Sequence, residues 1–125
     1  CVIAGMTLTS DGGYATCGLE FFDMGTFNMN VCKYDSAGNR MWNNIYGTNQ
    51  DDAYSITEAD NGDLIIAGKT NVGTVVSPSY KSTLLRLDST GNIISCIPVN
   101  LNCHNKNPRF LRGSIAVSLA SPEFL

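Results

Sequence analysis

Asp51 and Asp52 stand side by side in the chain. Adjacent carboxylates supply the hard oxygen ligands that suit a cation such as Ca2+. A cation held there can polarise a phosphoryl or carbonyl oxygen and lower the pKa of a bound water. A second possible chemistry uses sulfur. The chain has five cysteines, Cys1, Cys17, Cys32, Cys96 and Cys103, and one histidine, His104, next to Cys103. A thiol with an imidazole beside it can become a thiolate nucleophile. Neighbours in an extended strand point to opposite faces, which argues against direct pairing of His104 with Cys103 in one chain, while across an assembly His104 of one copy could meet Cys17, Cys32 or Cys1 of another. The catalytic candidates are Asp51, Asp52, His104 and Cys17. Asp51 and Asp52 are also the metal candidates, with a divalent cation such as calcium as the cofactor they would hold.

Each candidate has a plainer reading. Asp51-Asp52 can be a solvated turn that starts a strand, and Cys17 and Cys32 can be buried thiols inside strands. Cys96 and Cys103 are close enough in sequence to form a disulfide. With no Cys-x-x-Cys pair, a zinc ribbon or thioredoxin-type motif is excluded. No Ser/His/Asp order, HExxH, P-loop or Rossmann glycine pattern occurs.

The elements that must position these residues are strands. The 125 residues are enough for one core. Net charge is −3 with no basic run, which argues against a nucleic-acid partner. The apolar runs are strand-sized, so no membrane span is expected. Gly, Asn, Asp, Ser and Thr punctuate short β-branched and aromatic runs, the composition of an all-β protein.

The chain says nearly the same thing twice. "DGGYATCG" (Asp11 to Gly18) aligns with "NGDLIIAG" (Asn61 to Gly68), 50 residues on, and "KYDSAGNRMW" (Lys33 to Trp42) with "RLDSTGNIIS" (Arg86 to Ser95), 53 residues on. A repeat of this length marks a solenoid or propeller. Each copy divides into four strands. They are predicted over Val2–Leu8, Tyr14–Leu19, Phe27–Tyr34 and Arg40–Tyr46, then Ala53–Glu58, Leu64–Lys69, Ser82–Leu87 and Ile93–Val99. The repeated words are turns. Asp11-Gly12-Gly13 and Asp60-Asn61-Gly62 can supply positive φ, while Asp35 and Asp88 can bond the backbone N–H groups ahead of them. Four antiparallel strands per copy make one propeller blade.

These stretches resemble the bacterial secreted β-propeller repeats with a DGGY-type hairpin and a KxDxxGNxxW-type hairpin. The Gly38-x-x-x-Trp42 spacing is also similar to quinoprotein blades, in which a Trp docks between blades. The resemblance covers roughly residues 1–100 and implies the fold and an extracytoplasmic, bacterial setting. The second copy departs from it, with Ser95 in place of the Trp and "PVN" in place of "IYG".

The expected organisation is a first blade over 1–50, a second over 51–100 and a tail over 101–125. The tail is either a ring-closing strand, with Gly113 to Ser121 alternating suitably, or a non-native segment. Two blades cannot close a ring, since propellers have typically four to eight. The chain is thus expected to be a fragment of a longer propeller, or to associate with itself. A homotrimer would make about six blades, and a homotetramer about eight.

The long loops should share one end of the ring with the central channel. They carry Glu20, Phe21, Phe22, Asp23, Asp51, Asp52, Tyr80 and Lys81. Glu20, Phe22, Asp23, Tyr80 and Lys81 are the candidates for binding a small molecule. Two functions follow. One is a self-associating binding or scaffolding module. The other is a small hydrolase of activated esters or phosphoesters, with its site in a channel shared by several subunits.

Overall fold

The computed structural model describes residues 1–22, 25–47 and 50–97. These form two four-stranded antiparallel sheets and no helix. The first holds β1 (Val2–Leu8), β2 (Tyr14–Phe21), β3 (Phe27–Tyr34) and β4 (Arg40–Tyr46), in that order. The second holds β5 (Asp51–Glu58), β6 (Leu64–Asn71), β7 (Tyr80–Leu87) and β8 (Ile93–Ile97), likewise in order.

All eight expected strands are present. The ladders run further into the long loops than the turn residues suggested. Glu20 pairs with Asn28, Phe21 with Phe27, Asp51 with Thr70 and Asn71 with Tyr80. Residues 98–125 lie outside the described residues. So do the expected end of the last strand, the Gly113–Ser121 strand and His104.

The repeat extends to the irregularities. Register shifts fall between Ile3 and Gly5 and again between Ala53 and Ser55, then between Lys33 and Tyr34 and between Arg86 and Leu87. The carboxylate of Asp35 accepts from the amides of Ala37 (2.9 Å) and Asn39 (2.8 Å). That of Asp88 accepts from Thr90 (2.9 Å) and Asn92 (3.0 Å). Gly38 (φ +85°) and Gly91 (φ +90°) take the left-handed position in these turns. Each blade also clamps its first hairpin with a cation from its third strand. Lys33 Nζ meets Asp11 Oδ2 at 2.8 Å, and Arg86 Nε meets Asp63 Oδ2 at 2.9 Å.

Strand alternation gives each sheet two faces. One face of the first sheet carries Ala15, Cys17, Met29, Val31 and Tyr46, and packs on Ala53, Ile56, Leu64, Ile66, Leu85, Leu87 and Ile93 of the second. This is one core between two stacked blades. β5 lies across β1, β2 and β3. The missing side chain of Gly5, beside the bulge in β1, makes room for it, because a Cβ there would sit 3.0 Å from the carbonyl oxygen of Tyr54.

Candidate functional site

Two places collect polar side chains around the seam between the blades. The first is the outer latch. The Trp42 indole N–H donates to the Ser89 carbonyl at 3.1 Å. The Tyr46 hydroxyl donates to the Gly91 carbonyl at 2.5 Å, and Asn44 Nδ2 reaches the same oxygen at 3.4 Å. Trp42, Asn44 and Tyr46 alternate along β4, so all three point at the second blade. A Cβ on Gly91 would come within 2.6 Å of Asn44 Nδ2 and 3.1 Å of the Trp42 ring. The glycine therefore serves both the turn and the docked ring. Burial holds the Tyr46 hydroxyl far above its ordinary pKa, so it stays a donor.

The second place is the end where the long loops gather. Gln50 ties both loops together. Its Nε2 donates to the Gly25 carbonyl at 3.1 Å, while its Oε1 accepts from Asn71 Nδ2 (3.0 Å) and the Tyr80 hydroxyl (3.2 Å). Asn71 is buried, and its Oδ1 accepts the amides of Gly73 (2.8 Å) and Ser79 (2.9 Å). Phe21, Phe22, Tyr54 and Tyr80 stay exposed around this hub. Phe21 meets Phe27 edge-on at 6.0 Å, and the Lys69 ammonium lies 4.2 Å above the Tyr80 ring. Exposed aromatics around fixed amides suit a binding surface, because rings supply contact area at little entropic cost.

The sequence-derived candidates fall in different places. Asp51 and Asp52 belong to β5, not to a loop, so they point to opposite faces. Asp51 is 1% exposed and accepts the Thr70 hydroxyl proton. It lines a small cleft with Met29, Tyr46, Gly47, Thr70, Thr83 and Leu85, whose free volume of about 10 Å3 fits one water. Asp52 lies opposite Lys69 in the ladder. Burial raises its pKa, and the Lys69 charge pulls the other way. Within one chain the two carboxylates do not face a common point. The solvated-turn reading fits neither: Asp51 is buried and Asp52 half-buried.

Cys17 is 1% exposed in the core between the blades, and burial pushes its thiol up to about 11. Cys32 lies on the opposite face of the first sheet. Its thiol contacts Asn30 Oδ1 (3.3 Å) and Asn43 Oδ1 (3.2 Å), and burial raises its pKa too. Cys96 is disulfide-bonded, while Cys1, Cys17 and Cys32 are free thiols. Its expected partner Cys103, like His104 and Asp23, lies outside the described residues. Glu20 is half-buried on β2, within 3.4 Å of Asn30 Nδ2. Phe22, Tyr80 and Lys81 are exposed. Among the described residues, no three His, Cys, Asp or Glu side chains converge as a metal site.

Sequence reasoning missed Gln50, Asn71, Asn44 and Tyr46. Asn71-Val72-Gly73 carries a local signal, an Asx turn, for Asn71 alone. The other three act through contacts with remote segments. No family model matches the chain, and no curated protein does.

Proposed function

We propose that the chain is a self-associating β-propeller module that works by binding, in an extracytoplasmic bacterial setting. Three copies stack head to tail as a six-bladed ring, with four copies and eight blades as the other closed form. Its loop end and central channel make the contacts, through Glu20, Phe22, Asp23, Tyr80 and Lys81.

One observation carries this reading. Counting by 50, Ile3 and Met6 of the first blade correspond to Ala53 and Ile56 of the second. Ala53 and Ile56 are 0% and 7% exposed, because the first blade covers them. Ile3 and Met6 are 61% and 60% exposed. The free face of the first blade is thus the counterpart of the face that a neighbouring blade already covers. The free face of the second blade carries half-buried Ile65, Ala67 and Leu84 and exposed Ile97. A contact between two different faces is heterologous, and such contacts close into a ring when the rotation from copy to copy divides a full turn. Hydrolysis of activated esters or phosphoesters, the other reading of the sequence, has the same precondition. Its groups would have to come from several chains.

Native mass spectrometry tests the proposal. The expected mass is three times the 13.4 kDa chain. Four times that mass would keep self-association and replace six blades by eight. A monomer at micromolar concentration would overturn it.

A further inference from the structure

The outer latch has a counterpart that no described residue fills. Its receptor on the second blade is the turn Asp88-Ser89-Thr90-Gly91-Asn92. The first blade carries Asp35-Ser36-Ala37-Gly38-Asn39 at the same point of the repeat. The two turns are built alike. The Gly38 amide donates to the Asp35 carbonyl at 3.1 Å, and the Gly91 amide to the Asp88 carbonyl at 3.0 Å. Both glycines have nearly the same φ, and both aspartates bind the amides two and four residues ahead. The surroundings differ. Gly91 is buried under Trp42 and Asn44, whereas residues 36–40 are exposed. A Cβ on Gly38 would find only the Tyr14 hydroxyl, at 3.9 Å. Among the described residues, no donor reaches the carbonyls of Ser36 or Gly38.

This chain cannot fill the second receptor as it fills the first. Trp42 is its only tryptophan, and that ring is already docked on Gly91. The second blade carries Ser95 at the Trp42 position and Ile97 at the Asn44 position. In a head-to-tail ring, a neighbouring copy would bring β8, with Ser95 and Ile97, to the Gly38 turn, so a peptide strand carrying a tryptophan competes with that neighbour for the turn.

We propose that the Ser36–Gly38 turn is a binding site for a tryptophan side chain carried on an extended peptide strand. The indole N–H donates to the Ser36 carbonyl, and the ring lies over Gly38. Donors two and four residues further along that strand reach the Gly38 carbonyl, as Asn44 and Tyr46 reach that of Gly91. The site is preformed, because local hydrogen bonds alone hold the turn. It does not rest on ring closure.

The test is titration of the full chain with the synthetic peptide RMWNNIYG, which has the sequence of residues 40–47, followed by amide NMR. A second peptide carries alanine in place of the tryptophan. The expected result is shifts of the Ser36 and Gly38 amides, with binding at least about tenfold weaker for the alanine peptide. The Gly38→Ala variant should lose the binding. Should it fold poorly, the shift map of the unsubstituted chain still decides. Equal binding of both peptides, no shifts, or shifts confined to Gly91 would overturn the proposal. Native mass of the same samples separates it from the reading above. A monomer that binds supports the site and sinks self-association, while an oligomer that neither binds nor dissociates at saturating peptide sinks the site alone.

Discussion

A thiol is as nucleophilic as its surroundings let it be. Cys17 sits in the seam with its pKa raised from 9.0 to about 11 by burial, so at neutral pH it is a protonated core residue. The raised value also makes it an alkaline liability. Its stabilising effect is complete below pH 9, where both states are protonated. It declines as the unfolded chain ionises, and is gone above the folded pKa. The unfolding free energy read from urea titrations should therefore fall between pH 9 and about 11, by up to roughly 2 to 3 kcal/mol from this group. Cys17→Ala should reduce that slope, leaving the part that the buried Cys32 thiol contributes, while lowering stability at pH 7. An unchanged slope would show that the thiol is not the group responsible. The sequence already placed Cys17 inside a strand. It could not show the burial of Asp51, because the residues around Asp51 come from both blades. Residue type is local, and environment is not.

At the scale of the strand, the repeated word "G" closing "ATCG" and "IIAG" has a steric cause. A Cβ on Gly18 would collide with the Val2 carbonyl, and one on Gly68 with the Asp52 carbonyl. Both collisions lie beside a bulge that pushes the first strand of the blade against the second. Gly18→Ala should cost about 2 kcal/mol or more, because backbone has to move. Hydrogen exchange should show the loss first in β1, with β3 and β4 still protected. Even loss across the blade would mean that β1 is not a separate unit. Sequence alone placed every strand, since turn residues and alternation are local signals. It set the ends of β2, β5, β6 and β7 two residues short. Those last rungs are held by the loop network around Gln50 and Asn71, whose members are far apart in the chain.

For the whole molecule, the exposed row Ile3, Met6 and Leu8 is the main anomaly. Continuous apolar faces on soluble proteins mark contact surfaces. Replacing Met6 with lysine, alone or with Ile3→Lys, should turn an assembled protein into a monomer of unchanged far-UV circular dichroism, read by light scattering on a sizing column. An assembly that survives both lysines would place its contacts elsewhere. The repeat made the two four-stranded sheets legible. It did not reveal how they lock, because Trp42 meets a turn 47 residues away.

The strand orders β1-β2-β3-β4 and β5-β6-β7-β8 also set the order in which structure forms. Within each sheet every strand pairs with the next one along the chain, so no sheet waits for a distant partner, and short loops close quickly. Each blade is complete as soon as its own four strands have left the ribosome. The seam face of the first one is then uncovered until the second emerges. The seam, with its tryptophan latch, closes last, so the interval before it closes is when this chain is most open to aggregation.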